Sequence, residues 1–314
     1  GEAKVSLPGG CAIGTRPVDF YLSILKRMGV TLDLKDGYVY ASVKSRLRSI
    51  NFTLDFPSVG VTHFFLMMSS LAEGESVLKN AAKEPEVEAL AEMLNKMGAK
   101  ITGHGTNTIT ITGVPSLTGT KVNVPPDRIE AGTFAIAVSA TGGEISLDSV
   151  NSDEIDVLLN VLEQSGVEIS RSKKNLKISA DRKRNSPVNI STAPYPGFPT
   201  DLQAQFMALM AIANGTSVIK ETIFENRFMH VQELARFGAN IKLKGDTAII
   251  EGIERYNSAP VMATDLRASA SLIIAALSAK GKSTIRRIYH LDRGFDKIEK
   301  KLRSCGAVIE RKED

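Results

Sequence analysis

The chain has 314 residues, of which 43% are apolar and 24% charged, and its formal net charge is +4. This composition is typical of a globular protein, the length is sufficient for two domains, and no apolar run is long enough to span a membrane. The basic clusters at 173–174 and 182–184 lack interleaved aromatic residues, so we do not expect a nucleic-acid partner. Two cysteines, Cys11 and Cys305, cannot form a disulfide framework, which favours a cytoplasmic location, and the four histidines show no metal-ligand spacing. We therefore expect neither a metal nor a cofactor.

The first segment with evident chemistry is the glycine-rich stretch Ser6–Asp19, in which Cys11 lies five residues before Arg16. Glycines let a backbone approach a ligand closely, and a nearby guanidinium favours the thiolate of a cysteine. Arginine is also suited to a bidentate hold on a phosphate or carboxylate, and Asp19 is placed to cap the helix that follows. The stretch offers a thiol, a fixed cation and backbone amides together. A glycine-rich turn with an inert cysteine has the same pattern, and the residues alone leave both interpretations open.

A repeat runs through the chain. Five amphipathic helices each end in a glycine that suits a left-handed C-cap, and each is followed by a β-branched strand. These glycines lie 68 to 72 residues apart, at Gly29, Gly98, Gly166, Gly238 and Gly306. Because Cys305 follows the apolar stripe of the last helix, we expect its side chain to be buried and Cys11 to be the accessible thiol.

Four other segments are small and apolar on nearly every side, which is typical of buried helices. They span residues 61–72, 131–141, 201–213 and 266–279. Alternating strands such as Thr108–Thr112 indicate sheets with one face in water. The sequence therefore predicts an inverted α/β architecture, with helices at the centre of each domain and sheets outside. Two prolines, Pro125 and Pro126, place the domain boundary, so that the predicted domains are 1–125 and 126–314.

Five stretches resemble, in order, the enolpyruvyl transferases that act on UDP-N-acetylglucosamine. They are Ser6–Asp19 and residues 198–206, 225–230, 262–271 and 287–294. The resemblance implies the two-domain inside-out α/β barrel of that family, built from six repeated units. It also implies transfer of the enolpyruvyl group of phosphoenolpyruvate to the 3′-hydroxyl of UDP-N-acetylglucosamine, with release of phosphate. That reaction is the first committed step of peptidoglycan synthesis, on which cell-wall biogenesis, cell shape and cell division depend.

The resemblance assigns roles in the reaction to particular side chains. Cys11 matches the catalytic cysteine, which donates a proton to the methylene carbon of phosphoenolpyruvate and can form a covalent adduct. Asp201 matches the base for the sugar hydroxyl, and Arg293 and Arg16 match arginines that hold phosphoenolpyruvate. A carboxylate at position 201 also suits the N-cap of the helix that follows, and the two roles are compatible.

Substrate contacts are implied at further positions. The nucleotide is matched to the run Arg16, Pro17, Val18, Asp19 and Phe20. The pyrophosphate is matched to backbone amides at a helix start, in the turn Ser58, Val59 and Gly60. The sugar is matched to the backbone of Ile223, and the cleft of the second domain to Asp265 and Arg267. Arg267 is equally compatible with a structural ion pair, and Arg227 matches a residue near the site.

The chain also departs from the family pattern. Phe56 stands where some relatives carry a lysine beside the pyrophosphate. The family has six units, each with one amphipathic and one buried helix, whereas this sequence shows five amphipathic and four buried helices. Roughly 100 residues of the family pattern are therefore missing before Gly1. In the family they carry a Lys-Asn pair and an arginine of the active site. We therefore expect this chain alone to be inactive, and the missing N-terminal segment is a candidate partner as a separate chain.

Other functions remain as alternatives. The sister family, which acts on shikimate 3-phosphate, has the same fold and donor but lacks a cysteine loop of this type. A non-catalytic fragment that only binds a nucleotide sugar is the second alternative, and the presence of Cys11 and Asp201 argues against it. A plain interaction domain is the third, and it would not need charged residues at four separate unit starts.

Overall fold

The computed structural model describes residues 1–6, 18–172, 175–181 and 183–312. Across these residues the chain forms nine α-helices, three short 3₁₀ helices and sixteen strands. The α-helices are α1 (Val18–Arg27), α2 (Val59–Ser69), α3 (Pro85–Lys96), α4 (Arg128–Thr141), α5 (Asp156–Gln164), α6 (Gln203–Met210), α7 (His230–Arg236), α8 (Leu266–Ser278) and α9 (Ile298–Ser304). The 3₁₀ helices are Ser152–Ile155, Thr200–Leu202 and Ile288–Arg293. Within the described ranges, no helix combines the length and apolar character needed to cross a bilayer.

The strands form five sheets. Their bounds are β1 (Glu2–Ser6), β2 (Thr31–Lys35), β3 (Tyr38–Ser42), β4 (Asn51–Thr53), β5 (Glu75–Lys79), β6 (Lys100–Thr102), β7 (Thr108–Thr112), β8 (Gly143–Asp148), β9 (Glu168–Arg171), β10 (Asn175–Ala180), β11 (Ile190–Ser191), β12 (Thr216–Lys220), β13 (Asn240–Lys244), β14 (Thr247–Glu251), β15 (Pro260–Met262) and β16 (Thr284–Arg286). The strand orders are β1-β3-β2, β4-β5-β7-β6, β8-β10-β9, β11-β12-β14-β13 and β15-β16. The pairs β4/β5, β11/β12 and β15/β16 are parallel, and the other pairs are antiparallel.

The described residues fall into two compact units. One contains the chain up to Pro125 together with Pro194–Pro196, and the other contains Pro126–Ala193 and the chain from Gly197 onward. Each unit has its own apolar core, built around α2 in the first and around α4, α6 and α8 in the second.

The predicted helix–glycine repeat is confirmed. The five amphipathic helices are α1, α3, α5, α7 and α9, and the glycine after each has a φ between +92° and +104°. The prediction for Cys305 was wrong, because its side chain is exposed. Helix α9 ends at Ser304 and its buried stripe ends at Leu302, so Cys305 lies beyond the last turn that faces the core.

The predicted inversion of helices and sheets is clear in the second unit. Every residue of α6 is buried, and α6 packs against both α4 and α8. Strands β12 and β14 alternate between buried and more exposed residues, as expected for sheets with one face in water. In the first unit, α2 packs against α1 and α3 but leaves Met67 and Leu71 exposed, because within the described residues it is the one helix of this kind in that unit.

Polar groups close the ends of the buried helices. The N-terminal ends of α2, α4 and α8 are capped by Ser58, Asp127 and Asp265, whose side chains accept hydrogen bonds from backbone N–H groups of the first turn. At the carboxyl end of α2, Arg46 donates to the carbonyls of Leu71, Ala72 and Val114. Arg184 does the same after α6, where it donates to Ile212, Ala213 and Gly252. These arginines satisfy carbonyls in the turns that follow the two helices and, at Val114 and Gly252, carbonyls of the segments that follow β7 and β14.

Two glycines make this packing possible. A Cβ on Gly113 would lie 1.8 Å from the carbonyl oxygen of Ala72, and a Cβ on Gly252 would lie 1.9 Å from that of Ala213. Both approaches are far inside van der Waals contact, so neither position accepts a side chain without displacing the end of the buried helix.

One buried titratable side chain lies at the start of α7. His230 is 2% exposed, and burial and the charge of Arg227 lower its pKa from 6.5 to about 4, although Asp265 acts in the opposite direction. The folded protein therefore keeps this imidazole neutral at pH values where the unfolded chain binds a proton.

We predict that Gly113→Ala and Gly252→Ala each lower the free energy of unfolding by about 1–3 kcal/mol, which is the usual cost of overpacking. Gly119→Ala is the matched control, because a Cβ there meets no atom within 4 Å, and we expect it to be neutral within about 0.5 kcal/mol. Urea denaturation of the three variants measures the effect, and equal stability for all three would contradict the steric argument.

We predict that stability falls as the pH drops from 6.5 towards 4, because the unfolded state then binds a proton that folded His230 does not. Between pH 6.5 and pH 5 this amounts to about 2 kcal/mol from His230. Unfolding free energies at several pH values should show a shallower decline for His230→Gln than for the unsubstituted protein. His104→Gln, in the first unit, controls for the loss of a histidine. The same slope in His230→Gln and the unsubstituted protein would refute the assignment.

Candidate active site

Asp201 is held by two arginines in the second unit. Its Oδ1 accepts a hydrogen bond from Arg227 Nη2 and its Oδ2 accepts one from Arg267 Nη2, both at 2.8 Å. Arg227 is buried and Arg267 is largely buried, with 5% and 14% of their side chains exposed, whereas 39% of the Asp201 side chain is accessible. The two arginines therefore fix the carboxylate, and its exposed part stays accessible to a ligand.

Asp201 is not a helix cap, contrary to one of its predicted roles. It lies in the 3₁₀ helix Thr200–Leu202, and α6 begins after it without a side-chain cap. Ser58, Asp127 and Asp265 lie at the starts of the other buried helices and all serve as caps. At this one helix start the carboxylate is turned towards Arg227 and Arg267, so the predicted structural ion pair of Arg267 is present and its partner is Asp201.

The charge state of Asp201 follows from these contacts. Burial alone would raise the pKa of its carboxyl, but the guanidinium groups of Arg267 and Arg227 outweigh that effect and hold the pKa below its ordinary value of 3.8. Asp201 is thus a carboxylate throughout the physiological pH range. Because the group is partly exposed, water screens the ion pairs, and we assign them no contribution to stability.

The 3₁₀ helix Ile288–Arg293 brings further charged groups to α8. It packs against α8, whose start is capped by Asp265. Burial and the charges of Arg287 and Arg293 lower the pKa of His290, and Asp265 opposes this shift. Arg293 also contributes to a shallow cavity of about 480 Å³. This part of the second unit therefore carries Arg287 and Arg293 beside His290, together with the carboxylates of Asp265 and Asp292.

The predicted nucleotide contacts of the first unit lie at two adjacent helix starts. Val18, Asp19 and Phe20 form the first turn of α1, so Asp19 lies inside the helix and the prediction that it is the N-cap was wrong. Ser58 caps α2, whose first residues are Val59 and Gly60.

Aromatic side chains pack these two helix starts together. A Cβ on Gly60 would lie 2.5 Å from the hydroxyl oxygen of Tyr21, which shows how closely α1 approaches α2. The ring of Phe20 packs edge-on against that of Phe56, with 5.4 Å between centroids, and Phe56 is 49% exposed. The position at which some relatives carry a lysine is therefore an apolar surface here.

Several predicted site residues lie outside the described residues, namely Cys11, Arg16 and Pro17. Of the others, the structure brings Asp201, Arg267 and Asp265 into one cluster of the second unit, with Arg293 on the adjacent 3₁₀ helix. Ile223 lies in the turn after β12, where its backbone N–H donates to Glu221 Oε1 at 2.8 Å. Among the described residues, no group of three or more His, Cys, Asp and Glu side chains is arranged to hold a metal ion.

Sequence reasoning missed the role of Arg227 as the second partner of Asp201 and missed Glu221 altogether. Glu221 is 4% exposed and accepts four hydrogen bonds. A charged residue directly after a strand is an ordinary surface pattern, so no signal in the sequence distinguishes Glu221 from an exposed glutamate.

Comparisons with known proteins place the chain in a family. A model of the EPSP synthase (3-phosphoshikimate 1-carboxyvinyltransferase) family matches residues 1–302. The UDP-N-acetylglucosamine 1-carboxyvinyltransferase of Chelativorans sp. (strain BNC1) is 57% identical over 311 residues, which cover 99% of this chain and 72% of that protein. UDP-N-acetylglucosamine 1-carboxyvinyltransferase 1 of Mesorhizobium japonicum is 57% identical over 312 residues, which cover 99% and 73%.

Solved structures agree with this result. The enolpyruvyl transferase NikO from Streptomyces tendae superposes with a TM-score of 0.88 at 26% identity, covering 99% of this chain and 74% of that one. An EPSP synthase from Acinetobacter baumannii superposes with a TM-score of 0.72 at 20% identity, covering 98% of this chain and 74% of that one. At this identity the likeness supports the shared fold and no closer relationship. The predicted α/β enolpyruvyl transferase fold and the resemblance are both confirmed. The chain belongs to the enolpyruvyl transferase family, and within it to the UDP-N-acetylglucosamine 1-carboxyvinyltransferases.

Proposed function

We propose that this chain, together with the N-terminal segment expected from the family pattern, transfers the enolpyruvyl group of phosphoenolpyruvate to the 3′-hydroxyl of UDP-N-acetylglucosamine, releases phosphate, and so begins peptidoglycan synthesis in the cytoplasm. The printed names of the relatives at 57% identity support this acceptor over shikimate 3-phosphate. The observation that carries the proposal is the carboxylate of Asp201, which two buried arginines hold at a helix start where a cap would otherwise lie. No metal, cofactor or nucleic acid has a part in the proposal.

In the proposed reaction Asp201 is the general base. The sugar 3′-hydroxyl gives its proton to Asp201 while its oxygen bonds to C2 of phosphoenolpyruvate, and Cys11 Sγ–H delivers a proton to C3. In the second step C3 returns a proton to the Cys11 thiolate, the C2–O bond to phosphate breaks, and Asp201 passes its proton to the departing phosphate, so that the enol ether and inorganic phosphate are formed and both groups are regenerated. An ionised carboxylate accepts about two hydrogen bonds on each oxygen. After the arginine contacts, lone pairs therefore remain on Asp201 for the hydroxyl.

The surrounding cations suit the other substrate. Phosphoenolpyruvate carries a carboxylate and a phosphate, and arginine binds both through paired N–H groups. We assign Arg293 and Arg16 to this ligand. Arg267 also belongs to the site, through its bond to Asp201, and Asp265 orients the start of the helix on which Arg267 lies.

Three sets of contacts are assigned to the nucleotide sugar. Its nucleotide lies along residues 16–20, including Val18, Asp19 and Phe20 at the start of α1. Its pyrophosphate lies at the start of α2, where the amides of Val59 and Gly60 precede the first intrahelical bonds. Because the N–H of Ile223 is already donated to Glu221, we assign the sugar contact at Ile223 to its carbonyl.

We predict that Asp201→Asn lowers kcat by about 10²–10⁴, because it removes the base but keeps the shape of the side chain. We expect the affinity for UDP-N-acetylglucosamine, measured by calorimetry, to change by less than about tenfold. Asp156→Asn is the matched control, because Asp156 also pairs with an arginine, Arg171, but lies on the outer face of α5. A kcat for Asp201→Asn equal to that of the control would end the assignment.

We predict that an electrophilic epoxide mimic of phosphoenolpyruvate modifies Cys11. Because Cys305 is exposed and also reacts with general thiol reagents, the labelling is done in the Cys305→Ser variant. We expect one equivalent of added mass, located at Cys11 by peptide mapping, and no added mass in Cys11→Ala/Cys305→Ser. An unmodified Cys11 under conditions that inactivate the enzyme would contradict its assigned role.

A further inference from the structure

Glu221 is bonded to the residue before Asp201, and among the described residues assigned to the substrates its carboxylate is bonded only to the backbone N–H of Ile223. It directly follows β12, is 4% exposed, and its backbone N–H donates to the carbonyl of Asp246. No cation of the described chain lies within ion-pair distance of its carboxylate. A buried carboxylate of this kind is costly unless its oxygens accept hydrogen bonds.

The four hydrogen bonds of Glu221 join separate segments. Oε1 accepts from the hydroxyl of Thr192 at 2.9 Å and from the backbone N–H groups of Ile223 and Phe224 at 2.8 and 3.2 Å. Oε2 accepts from the hydroxyl of Thr200 at 2.9 Å. The Thr192 hydroxyl oxygen in turn accepts the N–H of Thr222 at 2.8 Å, which directs its proton to Glu221.

These contacts reach Asp201 from two sides. Thr200 is the residue directly before Asp201 and begins the same 3₁₀ helix. Phe224 lies on the other side, where its ring is 5.2 Å from the guanidinium carbon of Arg227, and Arg227 donates to Asp201 Oδ1. One carboxylate therefore fixes both members of the Asp201–Arg227 pair.

We propose that Glu221 is a positioning residue for this reaction. Its carboxylate holds the turn that carries Asp201 and the turn that carries Ile223 and Phe224 at a fixed separation, and thereby sets the distance between the base and the sugar hydroxyl. The inference rests on the proposed role of Asp201. Misplacement of a reacting group by about 1 Å can cost about 10²-fold in rate.

Two pairs of variants test the two sides of this connection in the full-length protein. Glu221→Ala removes all four bonds, whereas Glu221→Gln keeps the shape and one acceptor oxygen, and its NH₂ can donate to the Thr200 hydroxyl. Thr200→Val removes only the bond to Oε2, whereas Thr200→Ser keeps that hydroxyl. We expect a loss of about 10²-fold in kcat for Glu221→Ala and about tenfold for Thr200→Val. Glu221→Gln and Thr200→Ser should stay within about threefold of the unsubstituted enzyme.

The changes in kcat and in the two KM values show whether Glu221 positions the reacting groups or only stabilises the fold. KM for UDP-N-acetylglucosamine should rise in Glu221→Ala, and KM for phosphoenolpyruvate should stay within about threefold. Tyr256→Phe is the control, because the buried Tyr256 hydroxyl donates to the carbonyl of Ala208 at 2.7 Å in the same unit. It removes a buried hydrogen bond and should lower stability without changing kcat or either KM.

The outcomes distinguish the inference from the proposed function. If Glu221→Ala and Thr200→Val lose stability as Tyr256→Phe does but keep kcat and both KM values, Glu221 is a structural residue and the inference fails. If Asp201→Asn, assayed in parallel, keeps its turnover, the base assignment fails instead. If Glu221→Ala does not fold, the contrast between Thr200→Val and Thr200→Ser decides, and equal kcat values for these two would overturn the inference.

Discussion

A helix buried on all sides must satisfy its polar ends without water, and much of this structure follows from that requirement. Each unsatisfied N–H or C=O in the interior costs about 1–3 kcal/mol. The chain meets this cost with side-chain caps at the N-terminal ends of α4 and α8 and with Arg184 at the carboxyl end of α6. A side chain is excluded at Gly252 because the carbonyl of Ala213, in the turn that follows that helix, occupies the space. The repeat of about 70 residues thus supplies hydrogen-bond partners for the polar ends of successive buried helices.

The candidate site lies where this solution is interrupted. Asp201 stands where a cap is expected, yet its oxygens bind Arg227 and Arg267, and α6 starts without a side-chain cap. Local departures from the rules of helix formation are expected at functional sites. Here the departure places an ionised carboxylate beside Arg267 at the start of α8, the helix against which the 3₁₀ helix carrying Arg293 packs. That arrangement suits a reaction in which a neutral hydroxyl is deprotonated beside a ligand with several negative charges.

The sequence predicted the repeat, the C-cap glycines and the inverted order of helices and sheets, because each depends on a local pattern of apolar residues and glycines. The family motifs predicted Asp201 and Arg267 as candidate site residues, and the structure brings these two side chains together. The partners of Asp201 could not be predicted, because Arg227 and Arg267 reach it across 26 and 66 residues of sequence. Asp19 and Cys305 were misplaced for a different reason. Each lies within a residue or two of a helix end, where a shift of one position decides between a cap, a first turn and an exposed side chain.

The repeat also bears on how the chain folds. The parallel pairs β4/β5, β11/β12 and β15/β16 join residues that are 24 to 29 positions apart, so each of these pairs forms within one repeat unit at a modest cost in loop entropy. The buried helix that lies between two such paired strands needs apolar contacts on all sides. A single sheet covers only one side of it. In the second unit the apolar surfaces of α4, α6 and α8 stay accessible until all three helices meet. We therefore expect the sheets to form early and the helical core to close late, and we expect newly made chains to be most prone to aggregate between these two events.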